Sequence, residues 1–199
     1  MGNPDLGRAE WALQGSEREV LALADLYDQA VVAVQKEATK TRLKEIAPGA
    51  DVVHVAAHAV IDEVDPMYSL IKLATGGQVG TLAAMGSDME ARELAALDLS
   101  RARVVSLSAC NSGLGTVAQG DEFMGFKRAL FAADARSALV SLWPVDDIAT
   151  ELLMTQLHRG WQTSTLVNAM RAAQIKVLEQ TKYAHPYYWA PFTLVGDPG

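Results

Sequence analysis

Cys110 is the chain's only cysteine, and it stands where the apolar run VVSLSA gives way to Asn111, Ser112, Gly113 and Gly115. A cysteine inside such a run behaves as a small hydrophobe. At the end of one, with the chain made to turn, the thiol is presented instead. His58 stands in the same relation to an earlier apolar run, residues 50–57. If the two runs are neighbouring strands of a parallel sheet, their axes lie about 5 Å apart and both side chains emerge at one edge. An imidazole beside a thiol can take its proton, so that the sulfur attacks a carbonyl carbon. Backbone N–H groups at two sharp corners, those of Ala59 and Cys110, would face the oxyanion that develops. This is the apparatus of acyl transfer. The competing reading is an inert core cysteine and a satisfied core histidine. The joint placement of the two, each directly after its own buried run, is what sets the first reading against it.

The elements that must position these residues can be read from periodicity. Residues 50–57 and 102–108 are nearly continuous apolar runs, as expected of strands covered on both faces. SALVSLW (137–143) is a third, halted by Pro144, and AVVAV (30–34) a shorter one. MYSLIKLA (67–74) alternates like an edge strand or hairpin arm, and the aromatic tail 187–196 reads as a closing strand. Helical spacing recurs at 16–28, 38–47, 89–99, 121–133, 146–161 and 164–180. Ser16 with Glu19 has the capping-box pattern, Ser164 or Thr165 caps the last helix, and Gly125 is the weak point of the fourth. Strands alternating with helices predict an α/β sandwich with a mainly parallel sheet. In such sheets chemistry collects beyond the carboxyl ends of the strands, here at Ala57, Ser108 and Trp143.

The bulk numbers narrow the classes. A chain of 199 residues can bury one sizeable core, and a single domain over 1–199 is expected. A net charge of −7 without clustered lysine or arginine argues against a nucleic-acid or anionic-membrane surface. One cysteine cannot close an internal disulfide, the start MGNPDLGRAEWALQG lacks a signal-peptide pattern, and no run is long enough to cross a membrane. A cytoplasmic protein is the expectation. His54 and His58 form HxxxH, but on a strand they lie about 13 Å apart, so no metal site is expected and His54 reads as a satisfied strand histidine.

The third corner, LWPVDD, has two readings. Asp146 and Asp147 select a basic substrate side chain by charge, or one of them caps the following helix and complements its dipole. Gly120, Asp121 and Glu122 likewise line the site or start the next helix. Trp143 reads as a pocket wall or core aromatic, and Tyr187, Tyr188 and Trp189 as packing of the last strand.

The blocks VVHVAAHA, RVVSLSACNSGLG, GDEFMGFKRALFAADARSALVSLWPVDD and PYYWAPFTLVGDPG, preceded by NPDLG and GSEREV, resemble the CHAT domain. That family is related to caspases and separase and is often joined to tetratricopeptide repeats. The resemblance implies a caspase-like three-layer α/β/α sandwich and a cysteine endopeptidase that needs neither metal nor organic cofactor. His58 and Cys110 take the places of its catalytic dyad, with Ala59 and Cys110 amides at the oxyanion. The chain departs from the family at Ala59, where glycine is usual, and at Asn111, where Glu or Gln is more common. If that backbone needs a positive φ, alanine there is strained. The family domain usually begins further upstream, so a neighbouring repeat or sensor module, or a partner subunit, is expected to cover the sheet edge and regulate the site. The leading expectation is a regulated peptidase acting on protein or peptide substrates, in bacterial defence or signalling. A degenerate protease-fold scaffold is the alternative. A thiol transferase or redox sensor is a third, weakened by the lack of a resolving cysteine within the chain.

Overall fold

The computed structural model describes residues 1–76, 86–111 and 124–197, with the side chains of 109–111 outside the description. Its strands are β1 (Gly2–Pro4), β2 (Val34–Gln35), β3 (Val52–Val60), β4 (Leu70–Ile71), β5 (Met89–Glu90), β6 (Val104–Asn111), β7 (Ser137–Ser141) and β8 (Phe192–Gly196). They form one sheet in the order β2-β1-β3-β6-β7-β8, parallel except for β8, with the antiparallel β4–β5 pair joined to β3. The apolar runs chosen from sequence supply the middle of this sheet, as burial on both faces requires.

The helices are α1 (Gln14–Ala24), α2 (Lys40–Ile46), α3 (Ala91–Leu94), α4 (Met124–Ala132), α5 (Asp147–Trp161), α6 (Leu166–Leu178) and α7 (Pro186–Trp189). Alternation along the strands divides the core. Val53, Val55, Val105, Leu107 and Val140 pack against Leu43 of α2, Leu94 of α3, and Phe126 and Leu130 of α4. On the opposite face Val104 and Leu139 meet Leu153, Met154 and Leu157 of α5 and Leu166 and Met170 of α6. The result is the three-layer α/β/α sandwich. Each fully buried Leu or Phe contributes about 1.5–3 kcal/mol of transfer free energy.

Several boundaries differ from expectation. β3 does not stop at Ala57 nor β6 at Ser108: they run on through His58 to Val60 and through Cys110 to Asn111. The hairpin arm explains the first, because Ile71 and Leu70 pair with Ala59 and Val60, and the Lys72 N–H donates to the His58 carbonyl at 2.8 Å. The helix expected over 89–99 is shortened to Ala91–Leu94 because Met89 and Glu90 are taken as strand. Tyr187, Tyr188 and Trp189 sit in α7, not in the closing strand. The capping box of Ser16 and Glu19 does not form either. α1 begins two residues earlier, at Gln14, and its free amides are bound from another helix by Asp147. Gly125 is less a weak point than a contact point, since a Cβ there would fall 1.9 Å from the Pro66 carbonyl oxygen.

Candidate active site

His58 and Cys110 are register partners across the parallel β3–β6 pair, one rung before the last, Ala59↔Asn111. The two positions are thus brought side by side within the sheet, and not at two turns beyond it.

His58 is buried, and its Nε2 lies 2.8 Å from the Trp11 carbonyl oxygen. A carbonyl only accepts, so Nε2 carries the proton and Nδ1 keeps the lone pair. Nδ1 is buried without a hydrogen-bond partner among the described residues.

The Trp11 carbonyl is itself positioned. Trp11 ends a short 3-10 turn, Ala9–Trp11, and the Arg8 guanidinium lies over its ring at 4.6 Å. Two residues on, the Leu13 N–H donates to Asn3 Oδ1 at 2.7 Å, while Asn3 Nδ2 donates to Glu17 at 2.7 Å. Asn3 is buried with φ of 45°, a left-handed conformation that Asn tolerates better than most side chains. No sequence signal marks this arrangement, because the group that meets His58 is main chain.

Ala59 is buried and extended, and the non-glycine residues with positive φ are Asn3, Gln35 and Asp134 among those described. The strain foreseen for alanine in place of glycine does not arise in this conformation. Its methyl group packs in the core on the α2–α4 face. Ala59 has Asn111 on one side and Ile71 on the other, so the sharp corners expected at Ala59 and Cys110 are replaced by continuous ladder.

At the third corner, Trp143 is half-buried and its indole N–H donates to the Tyr187 carbonyl at 3.1 Å. Asp146 caps α5 through the Ala149 N–H at 2.8 Å. Asp147 reaches α1: its carboxylate accepts from the Gly15 N–H at 2.6 Å and from the Ser16 N–H and hydroxyl at 2.8 Å each. Both carboxylates are thus held at helix starts, one of the two readings left open for them, though Asp147 serves a different helix from the one expected. Asp121 lies outside the described residues.

The sequence reading missed a second buried polar cluster. His54 Nε2 lies 2.5 Å from Glu19 Oε1, the His54 ring meets His158 edge-on at 5.5 Å, and His158 Nδ1 bonds the Tyr27 hydroxyl at 2.7 Å. Burial pushes His54 and His158 down to about 3 and lifts Glu19 well above the usual carboxylate range, with Asp147 adding to the rise. Both rings are neutral near pH 7, and burial biases the Glu19 carboxyl toward its protonated form. His54 Nδ1 has no partner among the described residues, so the satisfaction expected of it is met at one nitrogen only. His54 and His58, though on the same strand, serve separate partners. No described helix is long and apolar enough to cross a membrane.

Residues 1–197 match the CHAT domain family. Tetratricopeptide repeat protein 28 of Mus musculus is 31% identical over 96 residues, 48% of this chain and 4% of that protein. Its Homo sapiens counterpart is 32% identical over 78 residues, 39% of this chain and 3% of the protein. The chain thus spans only a few per cent of the length of these relatives.

Proposed function

The chain belongs to the CHAT-domain family, a caspase-like peptidase-fold family, and on that premise we propose that it is a cysteine endopeptidase with His58 as base and Cys110 as nucleophile. The observation that carries the proposal is the pairing of His58 with Cys110 in adjacent parallel strands, with the His58 tautomer set by the Trp11 carbonyl. Nδ1 of His58 takes the thiol proton, and the sulfur adds to the scissile carbonyl carbon. The tetrahedral oxyanion collapses, the C–N bond breaks, and His58 returns the proton to the leaving amine. Water, deprotonated by the same nitrogen, then hydrolyses the thioester and restores the thiol. Trp11 keeps the imidazolium oriented throughout.

The Ala59 and Cys110 amides are the proposed oxyanion donors, and for this the last rungs of the β3–β6 ladder open when the site is engaged. Trp143 walls the substrate cleft, and Asp146 and Asp147 keep negative charge at its rim; Asp121 is a further candidate there. A module of the tetratricopeptide kind, named in the relatives, is the proposed neighbour that governs the opening. The continuous ladder also favours a second reading, a scaffold that uses the peptidase fold without its chemistry.

The test is cleavage of a proteome-derived peptide library, read by mass spectrometry, for the wild type, Cys110→Ala and His58→Ala. Cuts that share a preceding residue and disappear in both variants are expected. Cuts that persist in Cys110→Ala would reject the dyad. A folded wild type that cuts nothing, even when fused to a repeat module, would favour the scaffold.

A further inference from the structure

α1 and α5 run side by side from a shared start: Gly15 and Ser16 meet Asp147, and Arg18 meets Glu151. One carboxylate lies between the two N-termini, where both helix dipoles favour a negative charge. Asp147 Oδ2 accepts from the Gly15 N–H at 2.6 Å, and Oδ1 accepts from the Ser16 N–H and hydroxyl at 2.8 Å each. Asp146 caps α5 itself, so Asp147 is committed to the other helix. α1 depends on it, because Leu13, the residue before α1, makes no side-chain cap bond. The two backbones are as close as glycine permits, with the position of a Gly15 Cβ only 2.6 Å from the Asp147 carbonyl oxygen.

This joint reaches two parts of the proposed site. α5 follows directly on residues 142–146, which carry Trp143. That segment is tied down, since the Leu142 N–H donates to the Pro191 carbonyl at 2.7 Å and the Trp143 indole to the Tyr187 carbonyl. From α1 the chain runs back through Leu13 and Ala12 to Trp11, whose carbonyl accepts from His58 Nε2. The path is stiff: the N–H groups of Trp11, Ala12 and Glu17 donate to the Arg8, Ala9 and Leu13 carbonyls at 3.1 Å each. Asn3 fixes it at one main-chain point, the Leu13 N–H. A single bond sets a point but not a direction. Asp147 adds three more on the far side of Leu13.

We infer that Asp147 is a positioning residue for His58: through α1 and the Trp11 carbonyl it keeps the ring proton on Nε2 and leaves the Nδ1 lone pair for the thiol. The inference rests on the peptidase reading and deepens it. Without a correctly placed carbonyl the proton is free to move to Nδ1, and the ring then offers no lone pair at the nitrogen assigned as base. The same contact makes the Trp143 segment and the base one mechanical unit, so a substrate that displaces the segment is felt at the imidazole.

Heteronuclear NMR of the His58 ring tests this on the whole chain, without substrate. The wild-type ring is expected to carry its proton on Nε2. Asp147→Ala should raise the share of the Nδ1–H form at least about fivefold, the equivalent of losing one hydrogen bond. Asp147→Asn keeps one of the two oxygens and should lie between; it carries the test if the alanine variant does not fold. Leu153→Ala, a core truncation later in α5, should lower the urea midpoint as far yet leave the ring unchanged. An unmoved ring in both Asp147 variants, or an equal shift in Leu153→Ala, would overturn the inference. On any peptide the wild type cuts, kcat should fall at least about tenfold in Asp147→Ala with little change in KM. A shifted ring with unchanged kcat would also overturn it. A shifted ring in a chain that cuts nothing upholds the link from Asp147 to His58 and strikes the peptidase reading instead.

Discussion

At the scale of single residues, the least conspicuous group near the proposed dyad is the one with the clearest structural task. Asn3 holds the turn that delivers the Trp11 carbonyl to His58, in a left-handed conformation costly for most side chains. Asn3→Ala removes the acceptor of the buried Leu13 N–H and leaves alanine at positive φ. The expected loss of stability is about 2–4 kcal/mol in urea denaturation. If the proposed chemistry holds, the folded variant also cleaves about 10–100-fold more slowly, because a small misplacement of the base is enough. Asn3→Gly separates the two effects, since it tolerates the φ but still lacks the amide. A glycine variant with wild-type cleavage would show that Asn3 does not position His58.

At the scale of elements, α1 and α5 are joined by two contacts of similar appearance and unequal worth. Asp147 gives its carboxylate to two amides and a hydroxyl at the start of α1, groups otherwise left without partners at a helix N-terminus. Arg18 and Glu151 form an ion pair nearby, with the arginine side chain half exposed. Asp147→Ala should cost about 2–4 kcal/mol and Glu151→Ala less than about 1 kcal/mol, read from urea midpoints. The reverse order would mean that the cap is replaced by water. Gly15 belongs to the same joint, because a Cβ there would fall 2.6 Å from the Asp147 carbonyl oxygen. Gly125→Ala, pressed against Pro66, is expected to destabilise by several kcal/mol for the same steric reason. These contacts also show what the sequence could carry. The apolar runs at 50–57 and 102–108 revealed the two strands that hold His58 and Cys110, because burial on both faces leaves a local signature. The strand ends were misjudged, because what prolongs β3 is a hairpin arm more than ten residues away. Glu19 fitted a local capping pattern, yet tertiary packing places it against His54. The Trp11 carbonyl had no signature at all, being main chain.

At the scale of the whole molecule, the buried cluster between α1, β3 and α5 links stability to pH through groups of opposite sign. His54 and His158 have folded values near 3 against about 6.5 unfolded, so the unfolded chain binds protons that the folded chain refuses. Their contribution is complete above about pH 6.5 and is lost as pH falls, at about 1.4 kcal/mol per unit for each ring. Glu19 runs the other way. Its raised folded value means that the folded chain keeps a proton that the unfolded chain releases above about pH 4.5, so stability falls as pH rises through that window. Two rings outweigh one carboxyl between pH 4.5 and 6.5, and stability should rise with pH across that interval. The carboxyl term is isolated by Glu19→Gln, which keeps a hydrogen-bonding group for His54 and removes the titration. Relative to wild type, the variant should gain about 1.4 kcal/mol per pH unit above 4.5 until the folded value of Glu19 is reached. Urea midpoints of both proteins from pH 4 to 9 give that difference directly. A variant that is instead destabilised, by more at pH 7 than at pH 4, would mean that Glu19 is ionised against a charged His54 and that α1 meets the sheet through a buried ion pair.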